Sequence, residues 1–118
     1  MKSRFSKYND GMLYVCEVKK NEIGFGMVKN TREESDLKRI LKLAYEEKTK
    51  RDEDMQFAEN RGRSLSLKVK TRLREEVDST QKVLIENTLY SVIHVDHDKS
   101  NREMYLYLEE ERKLIWVY

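Results

Sequence analysis

Residues 82–109 read KVLIENTLYSVIHVDHDKSNREMYLYLE, and this stretch decides the fold. Val83 and Ile85 belong to an apolar run that Asn87-Thr88 breaks. Tyr90, Val92, Ile93 and Val95 form a second run, ended by the polar stretch 96–101. Met104, Leu106 and Leu108 then alternate with Glu103, Tyr105, Tyr107 and Glu109. Successive side chains on a strand point to opposite faces, so period-two patterning with β-branched and aromatic enrichment predicts a strand. Three such runs separated by short polar breaks predict an antiparallel meander.

Working outward, residues 64–74 (SLSLKVKTRLR) give the cleanest alternation in the chain. Leu65, Leu67, Val69, Thr71 and Leu73 share one face, and Ser66, Lys68, Lys70, Arg72 and Arg74 the other. This predicts a long, half-buried strand with a basic outer face. Residues 75–81 read as a polar loop. Near the N-terminus, Asp10-Gly11 is a turn signal, and the alternation of Met12, Tyr14, Cys16 and Val18 with Leu13, Val15, Glu17 and Lys19 predicts a strand over about 11–19. Residues 1–10 read as a polar arm. Residues 19–37 read as a charged loop, with Gly24-Phe25-Gly26 as a loop tip. No third glycine and no Lys-Ser/Thr pair follows, so a phosphate cradle is not indicated.

Residues 31–61 hold the ambiguity. Thr31-Arg32-Glu33-Glu34 and Thr49-Lys50-Arg51-Asp52 both fit a capping box. The second predicts a short helix at about 50–61, with acidic Asp52, Glu53 and Asp54 in its first turn, Met55 and Ala58 facing inward, and Gly62 just past its end. Residues 38–48 alternate as a strand yet also suit a helix. Residues 113–118 (KLIWVY) read as a closing strand or a docking tail, with Trp116 and Tyr118 as aromatic anchors. The sum is a mainly β chain of six to seven short strands plus one short helix. A small sheet hides its edges best by closing into an antiparallel β-barrel.

Composition bounds the function. The chain has 118 residues, room for one domain. Charged residues make up 39%, well above the usual ~25%, so the fold gains from packing against copies or partners. Lys and Arg number 24 against 22 Asp and Glu. The two signs are interleaved along the whole chain, which argues against a dedicated nucleic-acid binder. Cys16 is alone, which excludes an intrachain disulfide. Residues 1–10 lack the apolar core of a signal peptide, and no run approaches the ~18 apolar residues of a membrane span. A cytoplasmic, membrane-free protein is expected.

Chemistry is sparse. His94, Asp96 and Asp98 would share a strand face with His97 pointing away, but acidic residues before Lys99-Ser100-Asn101 are common turn chemistry. A Cys16–His94 nucleophile pair would need a coincidence of the fold. No catalytic residue, metal site or cofactor is expected. The Lys68, Lys70, Arg72 and Arg74 face would space its charges about 6.6 Å apart, near the phosphate repeat. It fits equally a sheet surface paired with neighbouring glutamates.

A family resemblance enters here. A strand ending near Ala44-Tyr45-Glu46-Glu47 leads to the short helix over 50–62, then the strand of Leu65 to Arg72. The Tyr90-Ser91-Val92-Ile93-His94-Val95-Asp96 element and Arg102-Glu103-Met104-Tyr105-Leu106-Tyr107-Leu108 follow. This order resembles the small head–tail adaptor (head-closure, joining) proteins of tailed bacteriophages, in particular those of defective, PBSX-like prophages. The resemblance spans about 38–109 and implies a β-barrel with one short helix, and it favours a strand for 38–48. It also implies a non-enzymatic virion assembly protein, monomeric when free. On assembly it would form a ring, commonly of twelve copies, between portal-type and tail proteins. DNA would pass through without specific binding. The interface candidates are Lys68, Lys70, Arg72, Arg74, Phe25, Trp116 and Tyr118. The alternative is a small β-barrel nucleic-acid-binding protein that uses the Lys68, Lys70, Arg72 and Arg74 face. One departure from the family pattern is plain: the helix carries Asp54 where an apolar or aromatic residue is expected.

Overall fold

A computed structural model describes residues 8–18 and 37–114. Phe25, Trp116 and Tyr118, residues 1–7 of the expected arm, 19–36 of the expected loop and 115–118 of the expected closing strand lie outside the described residues. The elements run β1 (Gly11–Val18), β2 (Leu37–Lys48), α1 (Asp52–Glu59), β3 (Leu67–Arg72), β4 (Lys82–Ile85), β5 (Thr88–Asp98) and β6 (Glu103–Lys113). All strand pairs are antiparallel, and the sheet closes in the order β1-β2-β3-β6-β5-β4. The expected barrel and meander are therefore present, with one short helix among the described residues. The strand reading of 38–48 holds; of the closing run expected over 113–118, only Lys113, the last residue of β6, and Leu114 are among the described residues.

The barrel exists because one face of each strand is apolar. Leu13 and Val15 from β1, Leu43 and Tyr45 from β2, Val69 from β3, Val83 from β4, Val92 from β5, and Met104, Leu106 and Leu108 from β6 converge in one cluster. Most of these side chains are fully buried, and each fully buried aliphatic contributes ~1.5–3 kcal/mol of transfer free energy. Val77, in the loop expected to be merely polar, is completely buried in the same cluster. The loop thus contributes an apolar residue to the core.

Alternation breaks where a strand carries an extra residue. The β5–β6 register shifts between Val92 and His94, so Ile93 is unpaired. Ile93 packs with Ala58 and Leu65 rather than with the barrel interior. The shift sets His94, Asp96 and Asp98 opposite Tyr107, Tyr105 and Glu103, while Val95 and His97 oppose Leu106 and Met104. A bulge of this kind re-aims every side chain beyond it. A second shift, between Val15 and Cys16, leaves Ile40 unpaired. Cys16 then joins a separate buried cluster with Leu37, Leu84, Leu89 and Leu114. The break after Ile85 falls one residue earlier than expected: Glu86-Asn87 form the turn and Thr88 opens β5.

The helix is shorter at both ends than expected, and its cap differs. Arg51, not Thr49, is the N-cap residue. Its backbone N–H donates to Asp54 Oδ2 at 3.0 Å, one of the two bonds of a capping box. The C-terminal end matches expectation. Gly62 has φ +69°, Gly62 N–H donates to the Glu59 carbonyl and Arg63 N–H to the Ala58 carbonyl, both at 2.9 Å. That is the Schellman pattern, and glycine enters the left-handed region without strain.

Two left-handed positions give opposite expectations. A Cβ on Gly62 would meet nothing within 4 Å, so Gly62→Ala carries the backbone cost alone, about 1–2 kcal/mol. Glu86, at φ +55° in the β4–β5 turn, already bears that strain, and Glu86→Gly should raise stability by up to about 1 kcal/mol. Urea unfolding of both variants checks this. Equal signs would contradict the turn assignments.

Candidate functional site

α1 lies over the outer face of the sheet, with Ala58, Met55 and Phe57 packed with Leu65, Ile93 and Tyr107. Helix geometry puts Asp54 and Ala58, one turn apart, on the same inward side. Both are buried. Asp54 therefore reaches the strand surface below, where β3 presents Lys68. Lys68 Nζ donates to Asp54 Oδ2 at 3.0 Å, with both side chains under one tenth exposed. The Arg51 guanidinium reaches the same oxygen at 3.4 Å, and the Tyr107 hydroxyl donates to Oδ1 at 3.4 Å. Lys68 Nζ also lies 5.5 Å from the Tyr105 ring centroid and 5.2 Å from that of Tyr107, within cation–π range.

The electrostatics follow from this geometry. Burial alone would raise the Asp54 carboxyl. Hydrogen bonds from Lys68 and from the Arg51 N–H and guanidinium overcome it and hold the group down at about 2. Burial pushes the Tyr107 phenol up to about 12, and the charges of Asp54 and Asp96 add to the shift.

The expected basic face is therefore not an open surface. Lys68 is buried beneath α1. Lys70 lies 3.7 Å from Glu46, its cross-strand partner on β2, and 3.6 Å from Glu103, its diagonal neighbour on β6. Arg74 lies 2.8 Å from Glu76. Among the described residues, Arg72 alone of the four has no carboxylate within ion-pair distance. Lys68 also lines a cavity of about 420 Å³ with Lys48, Thr49, Arg51, Asp96, Tyr105 and Tyr107. A second cavity, about 550 Å³, lies at the β5–β6 turn and is lined by Tyr8, Arg72, Leu73, Glu75, Lys99, Asn101 and Arg102. Tyr8 donates to Glu103 Oε2 at 2.6 Å, which raises the phenol above its ordinary value through burial and this carboxylate.

The histidine cluster does not assemble into a metal centre. Asp98 accepts bonds from Ser100, Asn101 N–H and the Asn101 amide, the turn chemistry expected for it. His94 packs on Phe57 and Tyr107, and His97 lies on the opposite strand face. Among the described residues no group of three or more His, Cys, Asp or Glu could hold a metal ion. Cys16 and His94 belong to different clusters. No helix of the described residues is long and apolar enough to cross a membrane.

Tyr105, Tyr107 and Phe57 escaped the sequence reading. The available signal was tyrosine on the non-core face of β6, where a solvated strand would carry charge. No protein-family model matches the chain, and no curated protein matches it significantly.

A carboxyl held at about 2 when folded, against ~3.9 unfolded, adds stability above pH ~4. The contribution is lost as pH falls through ~2. It amounts to about 2 kcal/mol. The stability difference between the wild type and Asp54→Asn should therefore shrink by that amount between pH ~5 and ~2. Urea midpoints across the range check it, and a difference that stays constant refutes it.

Proposed function

We propose that this chain is a structural, non-enzymatic subunit of a phage or prophage virion, a head-closure adaptor that forms a ring between portal-type and tail proteins. The observation that carries the reading is the element order. A strand ending at Lys48, one short helix, a strand starting at Leu67 and the β4–β5–β6 meander close into one small barrel. That succession is the basis of the resemblance to head–tail adaptors.

Charge distribution supports the same reading. The barrel closes on itself, so association falls to side-chain surfaces rather than to a long free strand edge. Those surfaces differ in sign. The first turn of α1 exposes Asp52 and Glu53, while the β5–β6 turn exposes Lys99 and Arg102. Unlike faces suit a heterologous contact, which closes into a ring when each copy is rotated from the last.

The alternative, nucleic-acid binding through Lys68, Lys70, Arg72 and Arg74, draws less support. Three of these cations are already matched by carboxylates, and phosphate binding would have to displace them. The two readings separate in one experiment. Electron micrographs of the protein mixed with the portal-type protein of the same genome should reveal closed rings seated on the portal. Absence of rings and of portal binding refutes the connector. A gel shift that weakens steeply with salt and is lost in Lys70→Glu would favour the alternative.

A further inference from the structure

The barrel leaves no long strand edge free, but its closure is uneven at the seam between β2 and β3. β2 has twelve residues, and β3 pairs with only the last four, Tyr45 to Lys48. Past Arg72 the chain follows β6 instead, where Leu73 N–H donates to the Arg102 carbonyl at 2.9 Å. It makes no backbone bond to β2 there among the described residues. The opposite edge of β2 pairs with β1 from Leu37 to Tyr45, apart from the bulged Ile40.

The backbone groups of a strand point alternately to its two edges, and two bonds assign their direction here. Asp10 N–H donates to the Tyr45 carbonyl at 3.0 Å, and Glu47 N–H donates to Asp10 Oδ2 at 2.7 Å. Tyr45 and Glu47 therefore aim at the β1 side, and Leu43 with them. Ala44 and Lys42 aim their N–H and C=O at the other side, beyond the last residue that β3 covers. Among the described residues no backbone group meets them. They form a short edge with two donors and two acceptors open to a further strand.

The side chains on either face say what such a strand would carry. Leu43 is in the core and Leu41 is half-buried against it, so residues set beside them face apolar surroundings. Lys42 is exposed on the outer face, its Nζ 5.8 Å from the Tyr14 ring centroid. It has no carboxylate within ion-pair distance among the described residues. The charged residues of Gly11–Val18 and of β2 as far as Ala44 are Glu17, Lys38, Arg39 and Lys42. Glu17 is the cross-strand partner of Lys38, which leaves the excess positive beside the open edge. Opposite charges across neighbouring strands attract.

We propose that the Lys42–Ala44 edge of β2 is a strand-addition site for an extended segment of a different protein, one that alternates apolar and acidic residues. Its main chain exchanges hydrogen bonds with Lys42 and Ala44. Its carboxylates face Lys42, and its apolar side chains extend the layer of Leu41 and Leu43. A second copy of β2 fits poorly. Antiparallel self-pairing about so short an edge sets Lys42 opposite or diagonal to its own counterpart, and like charges there repel. The Ile40 bulge ends the regular ladder, which keeps the edge from templating a long sheet. The inference does not rest on the connector reading.

The test uses the full chain and a capped hexapeptide of alternating valine and glutamate, followed by amide nuclear magnetic resonance and hydrogen exchange. The valine–lysine peptide is the control. In the free protein the Lys42 and Ala44 amides should exchange fast and the Leu43 amide slowly. The acidic peptide should shift the Lys42 and Ala44 amides saturably and slow their exchange. Binding should weaken about tenfold in Lys42→Glu, where attraction across the strands becomes repulsion. It should be lost in Lys42→Pro, which removes an outward N–H and leaves the β1 ladder intact. Slow Leu43 exchange verifies the fold of each variant, and if Lys42→Pro fails that check, Lys42→Glu decides. Slow exchange of Lys42 and Ala44 in the free protein overturns the proposal, because the chain then covers its own edge. Protection that rises with protein concentration overturns it in favour of a second copy. Absence of saturation, equal response to the lysine peptide, or binding unchanged in Lys42→Glu overturns it as well.

Discussion

The contact between Asp54 and Lys68 is the constraint on which the outer architecture depends. Either charge buried alone would be strongly destabilising, because water is removed and nothing replaces it. Together, with Arg51 and Tyr107 completing the shell around the carboxylate, they tolerate burial. α1 is only eight residues long, too short to persist by helix propensity alone. Its place is fixed by what its inner side meets: Ala58 against Leu65 and Ile93, and Asp54 against a lysine on the strand below. The same contact draws Lys68 out of solvent, beside the rings of Tyr105 and Tyr107.

From that arrangement the rest of the surface follows. Once α1 covers Lys68, the basic stripe of β3 is no longer an open face: Lys68 is paired beneath the helix and Lys70 is held between Glu46 and Glu103, while Arg72 stays exposed. Buried pairs of this kind contribute more to orientation than to net stability. What remains open is distinctive at each place: a cationic hollow at the β5–β6 turn and an acidic, aromatic one beside α1. A small, highly charged barrel thus exposes surfaces of opposite sign within one chain.

How much of this was legible in the sequence depends on the kind of signal. The inner face of β3 was plain, because Leu67, Val69 and Thr71 alternate without interruption. β6 was equally plain. The outer face of β3 was misjudged for a physical reason: alternation says that Lys68 leaves the core, but not whether a second layer covers it. Asp54 departed from the expected family pattern, and the departure was the clue, since a carboxylate on the buried side of a helix demands a cation opposite. The Ile93 bulge was invisible, because Val92, Ile93 and Val95 fit an unbroken run as well as a shifted one. Val77 was hidden by its polar neighbours. The cavity beside α1 could not be foreseen, since Phe57, His94 and Tyr107 come from three elements and meet only through tertiary packing.

The claim that the Asp54–Lys68 pair fixes the helix on the barrel is tested most directly by a double-mutant cycle with Asp54→Asn, Lys68→Met and the combined variant, read as unfolding free energies near neutral pH. The account predicts that each single change destabilises strongly and that the double variant recovers much of the loss, with an interaction energy of about 2–3 kcal/mol. Effects that simply add, to within about 0.5 kcal/mol, would contradict it.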